Sequence, residues 1–186
     1  MLKVIQTGIE GLIRLHPTVF TDDRGWFMES FKASAFKNAG IDRTFPQDNI
    51  SYSKKGVLRG LHFQKSPYEQ AKLVWVLQGA VLDVAVDLRK NSPTFGKHYK
   101  LILDSKSRNM LFIPEGFAHG FQALEDSLFQ YKCSGEYFPG SEGGIIWNDP
   151  ELNIEWAAGD PVISAKDSQL PGLRELINSG LLSGQI

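Results

Sequence analysis

From residue 73 to residue 133 the chain is written as short apolar runs cut by turn formers. The runs are Leu73–Leu77, Val81–Leu88, Tyr99–Leu103, Met110–Ile113, Phe117–Leu124 and Leu128–Cys133. Gln78-Gly79 and Asn91-Ser92-Pro93 stand between them. Strands that recur about every 8–12 residues are what a sandwich or barrel requires. No long helical period interrupts the series, which argues against a βαβ architecture.

Upstream, Ile9–Phe20 and Trp26–Phe31 read as strand material around the polar turn Thr21–Gly25. Ala33–Ala39 reads as one short helix, with Ser34 as its cap and Gly40 as its stop. Gln47–Ser51 reads as a polar segment, and Leu173–Ile177 as a helical turn or two. The expectation is an all-β chain with a few short helices. It forms one domain over residues 1–186, a length that can enclose a real core. The 18 glycines and 9 prolines supply the turns that many short strands need.

Charge narrows the function. With 20 basic and 21 acidic side chains the net charge is -1, without the basic excess that nucleic-acid binding needs. No apolar run approaches the ~18 residues of a membrane span. Met1–Gln6 lacks a signal-peptide core. Cys133 is the sole cysteine, so no internal disulfide forms. These features fit a cytoplasmic protein with no membrane partner.

The run Gly56–Gln64 carries more chemistry than a core strand needs. By alternation Leu58, Gly60, His62 and Gln64 share one face, and Leu61 and Phe63 the other. Arg59 then falls on the wrong face, unless a bulge at Gly60 re-aims it. A lone histidine in a strand is usually a satisfied core residue. Arg59 and Gln64 beside His62 tilt the balance toward function. Lys72 opens the next apolar run, either as a snorkelling lysine or as a cation that steadies an oxyanion.

A second stretch, Pro114–Phe121, puts Phe117, His119 and Phe121 on one face. Two histidines on strands of a small barrel raise the question of a metal. Metal-binding cupins use a paired His-x-His, and Gln64 stands where its second histidine would be, so a metal is disfavoured. Tyr131 and Tyr137 flank Cys133 as core aromatics or as proton donors. Cys133 reads as structural. Asp83 lies inside an apolar run and must be paired, with His62 or Lys72 as the expected partner. Asp167 by itself reads as a solvated loop carboxylate.

Several blocks resemble one family. Asp23–Glu29, Gln47–Ser51, Leu58–Gln64, Val81–Leu88, Ile113–Phe121, Tyr131–Cys133, Trp147–Pro150 and Ser164–Asp167 run in the order of the dTDP-4-dehydrorhamnose 3,5-epimerases. The resemblance covers about residues 1–172 and implies a cupin-type double-stranded β-helix, or jelly roll. It implies a homodimer with no metal and no organic cofactor, and dTDP-4-dehydro-6-deoxy-D-glucose as substrate. By matched position His62 is the base, Tyr131 the acid, Asp167 the carboxylate on that histidine and Lys72 the cation at the C4 oxygen. Arg24, Glu29, Gln47, Asn49, Arg59, His119, Glu142 and Lys166 match substrate contacts, and Tyr137 the aromatic that stacks on thymine. Gly135-Glu136 and Gly143–Ile146 depart from the family pattern at places that bear on nucleotide contacts or on the choice of sugar carbon.

Independent chemistry agrees with this resemblance. Inverting a carbon next to a ketone needs a base, an acid on the opposite face and a stabilised enolate, but no redox cofactor. A histidine suits the base, a tyrosine the acid, a lysine the enolate oxygen and arginines a diphosphate. The competing readings are a 3-only or 5-only epimerase, a metal-dependent cupin using His62 and His119, and a non-catalytic sugar-binding cupin.

Overall fold

The computed structural model describes residues 2–157 and 159–182. Two antiparallel sheets face each other. One has the order β1 (Lys3–Gln6), β2 (Ile13–His16), β10 (Met110–Ile113), β7 (Lys72–Gln78), β12 (Ser127–Cys133) and β5 (Gln47–Ser53). The other runs β13 (Glu142–Gly144), β6 (Leu58–Gln64), β11 (Phe117–Ala123), β8 (Ala80–Asp87) and β9 (His98–Asp104). A separate hairpin pairs β3 (Val19–Asp22) with β4 (Gly25–Met28). Two short helices, α1 (Ala33–Asn38) and α2 (Leu173–Asn178), complete the jelly roll that was expected.

Three apolar layers hold it together. Between the sheets lie Val74, Val76, Val81, Ala85, Leu111, Phe121 and Phe129. Outside the five-stranded sheet, Leu61, Phe63, Val84 and Val86 pack under Ile145, Leu152, Leu173 and Leu176. Outside the six-stranded sheet, Leu15, Leu73, Trp75 and Met110 pack under Phe36 and Ile41. Coverage on both faces explains why β10 is buried at every position and reads as a continuous apolar run. Each fully buried leucine contributes about 1.5–3 kcal/mol.

The structure corrects several local readings. α1 begins one residue after Lys32, so Ser34 lies inside the helix and does not cap it. Gly40 does stop the helix, with φ +89° and its N–H on the Lys37 carbonyl. Ile9–Phe20 divides into β2 and β3, and β4 ends at Met28. Gln47–Ser51 belongs to a strand, β5, paired along its length with β12. The short strands β1 and β13 carry no signal strong enough to be read from sequence.

The bulge in β6 is present. His62 pairs with His119 and Arg59 with Phe121, so Gly60 and Leu61 together oppose the single residue Gly120. Strict alternation over Leu58–Gln64 therefore fails, and Arg59 shares a face with His62. Only glycine fits here: a Cβ on Gly60 would sit 2.7 Å from the Gly120 Cα, and one on Gly120 would sit 2.6 Å from the Arg59 carbonyl oxygen.

Candidate active site

The open end of the roll holds a cleft with two lobes, of about 450 and 300 Å³. His62, Lys72 and Tyr131 line both lobes and form the waist between them. His62 projects from β6 in one sheet. Lys72 and Tyr131 project from β7 and β12 in the other. The two sheets thus put an imidazole on one wall and a phenol on the opposite wall.

Asp167 is only 4% exposed, although sequence alone makes it a solvated loop residue. The cause is the segment before it. Val162 bridges in parallel to Val57, and the Leu58 N–H donates to the Val162 carbonyl at 2.9 Å. The Ser164 hydroxyl then accepts the Asp167 N–H at 3.0 Å. One carboxylate oxygen, Oδ1, lies 2.8 Å from His62 Nε2, and the other accepts the Gly60 N–H at 3.2 Å. A carboxylate only accepts, so Nε2 carries the imidazole proton and Nδ1 keeps its lone pair. Burial pushes the His62 pKa below the usual histidine value, against the opposing pull of the Asp167 hydrogen bond. Neutral His62 is therefore the resting form near pH 7.

Lys72 is half-buried, and its ammonium sits 5.9 Å from the centre of the Tyr131 ring. Desolvation lowers its pKa, which eases proton sharing with an oxyanion. Desolvation also raises the Tyr131 pKa, so the phenol keeps its proton.

Asp83 hydrogen-bonds to neither His62 nor Lys72, although its charge acts on the Lys72 ammonium and pulls that pKa upward. Its Oδ2 lies 2.8 Å from His119 Nε2. Its Oδ1 is buried without a hydrogen-bond partner. The pairing follows from register, because β8 and β11 are direct neighbours. Two carboxylate–histidine pairs are thus present, with their histidines opposite each other on the adjacent strands β6 and β11.

Arg59 lines the larger lobe and spends two donors on β5, to the Ser53 hydroxyl at 3.0 Å and the Tyr52 carbonyl at 3.2 Å. Gln47, Asn49, Tyr137 and Glu142 line the smaller lobe. At its rim the Tyr137 hydroxyl donates to Glu142 Oε2 at 2.6 Å, and Lys166 approaches the same oxygen at 2.6 Å. Burial would raise the Glu142 carboxyl, but Lys166 and Tyr137 outweigh it and hold the group low. His62, Tyr131, Lys72, Asp167, Arg59, His119, Gln47, Asn49, Tyr137, Glu142 and Lys166 are thus gathered at one cleft.

Arg24 and Glu29 are not. The Arg24 side chain is 90% exposed and paired with Asp22 on the β3–β4 hairpin. Glu29 follows that hairpin and lies 4.0 Å from Lys32. Neither lines the cleft. The cleft also includes polar residues that the sequence did not single out, Ser51 and Gln70 among them, and Cys133, which reads there as structural. Ser51, whose buried hydroxyl has no partner, lines the larger lobe; Gln70 and Cys133 line the smaller. The polar row Gln47, Asn49, Ser51, Ser53 at every second position was the available signal for Ser51.

Comparison with known proteins agrees with this geometry. The family model for dTDP-4-dehydrorhamnose 3,5-epimerase matches residues 6–175. The dTDP-4-dehydrorhamnose 3,5-epimerase of Escherichia coli K12 is 49% identical over 185 residues, covering 98% of this chain and all of the relative. The crystal structure of dTDP-6-deoxy-D-glucose-3,5-epimerase from Legionella pneumophila, in complex with dTDP-4-keto-L-rhamnose, superposes with a TM-score of 0.92 at 45% identity, covering 97% of both chains. A 3'-monoepimerase from Streptomyces bikiniensis, in complex with dTDP-quinovose, gives a TM-score of 0.88 at 34% identity, covering 94% of this chain and 89% of that one. A family match over most of the length and near-half identity to a full-length relative carry one conclusion: the chain belongs to the dTDP-4-dehydrorhamnose 3,5-epimerase family.

Proposed function

We propose that the protein epimerises dTDP-4-dehydro-6-deoxy-D-glucose at C3 and C5, giving dTDP-4-dehydro-L-rhamnose. The observation that carries this reading is the placement of His62 and Tyr131 on opposing sheets across one cleft. A sugar lying between the walls has a base at one face and an acid at the other.

In each inversion His62 Nδ1 takes the proton from the carbon next to the C4 ketone. The C–H electron pair forms the C=C bond, and the carbonyl pair moves to the C4 oxygen. The Lys72 ammonium stabilises that enolate. The pair then returns, and the carbon takes the Tyr131 hydroxyl proton on its opposite face. His62 is left protonated and Tyr131 as phenolate, and exchange with solvent restores both. The ketone supplies the carbon acidity, so the step needs no redox partner. Arg59 suits the diphosphate, and Tyr137 at the rim of the smaller lobe suits the thymine face.

The hairpin bearing Arg24 supports a homodimer. Phe20, Trp26 and Phe27 are all more than half exposed on it, an apolar surface that calls for a partner. In this reading Arg24 and Glu29 serve the cleft of a second copy.

The test is turnover in deuterated water. Deuterium should appear at C3 and at C5, and folded His62→Ala should incorporate it at neither. Label at a single carbon would assign a monoepimerase, and full exchange by His62→Ala would remove the histidine from the mechanism.

A further inference from the structure

The loop between β12 and β13 carries Tyr137 but has no strand partner of its own. Its backbone is held by glutamine side chains. Gln70 Nε2 donates to the Gly135 carbonyl at 2.6 Å. Gln64 Nε2 approaches the Glu136 carbonyl at 3.5 Å and donates to the Tyr68 carbonyl at 2.9 Å. Gln47 Oε1 accepts the Tyr137 N–H at 2.7 Å, and Gln64 Oε1 accepts the Phe138 N–H at 2.8 Å. Four consecutive residues, 135 to 138, are each fastened in this way.

An amide is the right group for this task. It offers a donor and an acceptor at once, matching the two halves of a peptide unit, and it buries no charge. Gln64 is 6% exposed, and both ends of its amide are used. A buried amide is retained only where its partners are worth more than burial of a hydrocarbon. The Tyr68 and Phe138 rings stack at 4.2 Å and join the loop to the segment whose Tyr68 carbonyl also accepts from Gln64.

We propose that Gln64 and Gln70 are positioning residues, which with Gln47 fasten the Tyr137 loop and so shape the nucleotide end of the cleft. Gln64 sits two residues from His62 on β6 and therefore ties the base-stacking aromatic to the strand of the catalytic base. This inference rests on the reading of Tyr137 as the residue that stacks on thymine.

The experiment is a double-mutant cycle in the full chain, read as the dissociation constant of dTDP and as steady-state kinetics. Tyr137→Ala should weaken dTDP about tenfold, a loss of about 1.4 kcal/mol. Gln64→Met, which keeps length but not hydrogen bonds, should weaken dTDP by a similar factor and raise KM while leaving kcat within about twofold. In the Tyr137→Ala background, Gln64→Met should add nothing further. Gln70→Met gives the same reading with a smaller effect, and stands in should Gln64→Met fail to fold. Parental dTDP affinity in both glutamine variants, or losses that simply add to that of Tyr137→Ala, overturns the proposal. Unchanged affinity in Tyr137→Ala removes the stacking reading, and the proposal falls with it for that separate reason.

Discussion

Replacing Asp167 with asparagine tests the most specific contact in the cleft. The two carboxylate oxygens serve two donors, His62 Nε2–H and the Gly60 N–H. An asparagine has one oxygen and one NH₂, so it cannot accept from both. If its oxygen faces His62, the NH₂ meets the Gly60 N–H donor to donor. If its oxygen faces Gly60, the NH₂ donates to Nε2 and drives the imidazole proton onto Nδ1, the atom that must take the substrate proton. In the first orientation the loss is that of one charge-assisted hydrogen bond, about 1.5–3 kcal/mol, or about 10- to 150-fold in kcat. In the second the base is disarmed, and the analogous tautomer swap in the serine protease triad lowers kcat by about 10⁴. The pH profile adds a signed test. Asp167 raises the His62 pKa, so its removal lets burial lower that pKa further. The acid limb of kcat/KM should move to lower pH in Asp167→Asn. Rates at pH 8, above both limbs, then isolate the loss of basicity. Parental kcat at pH 8, or an acid limb shifted to higher pH, would refute the dyad.

Tyr131→Phe removes only the hydroxyl and keeps the ring against Phe129. It should still wash substrate protons into deuterated solvent through His62 while forming little L-configured product, and inversion at the parental rate would send the search for the acid elsewhere. Lys72→Ala should lower kcat by about 100-fold or more with a smaller change in KM; an intact kcat with a raised KM would reduce Lys72 to a binding group.

The barrel was legible because burial on both faces of the sheets leaves continuous apolar runs, and because Gly and Pro mark the turns. β5 was not, and its physical reason is an inverted pattern. Gln47, Asn49 and Ser51 face inward because that side lines a wet cleft, whereas Ile50 and Tyr52 face out. His62 and Lys72 could be singled out as polar groups in apolar strands. Asp167 could not, since its burial depends on the 162–167 segment lying along β6, a long-range pairing with no local mark. The hydrogen-bond partner of Asp83, His119, was missed for a related reason: a strand's own sequence shows that a buried carboxylate needs a donor, but the neighbouring strand decides which one.

The extra residue in β6 acts as a phase shift in a two-beat rhythm, and it limits how this sequence can drift. Gly60 and Gly120 meet backbone to backbone. A methyl group on either has no flexible side chain to push aside. Both positions already hold the smallest residue, so neither can compensate for growth at the other. Straightening β6 to the strict beat with all its residues kept would turn Arg59 away from His62, because the two lie three residues apart and only the bulge sets them on one face. The pair is thus a lock without a second key: variation at these two sites is closed off in steps of one, and the placement of Arg59 beside His62 is kept by backbone shape as much as by the side chains themselves.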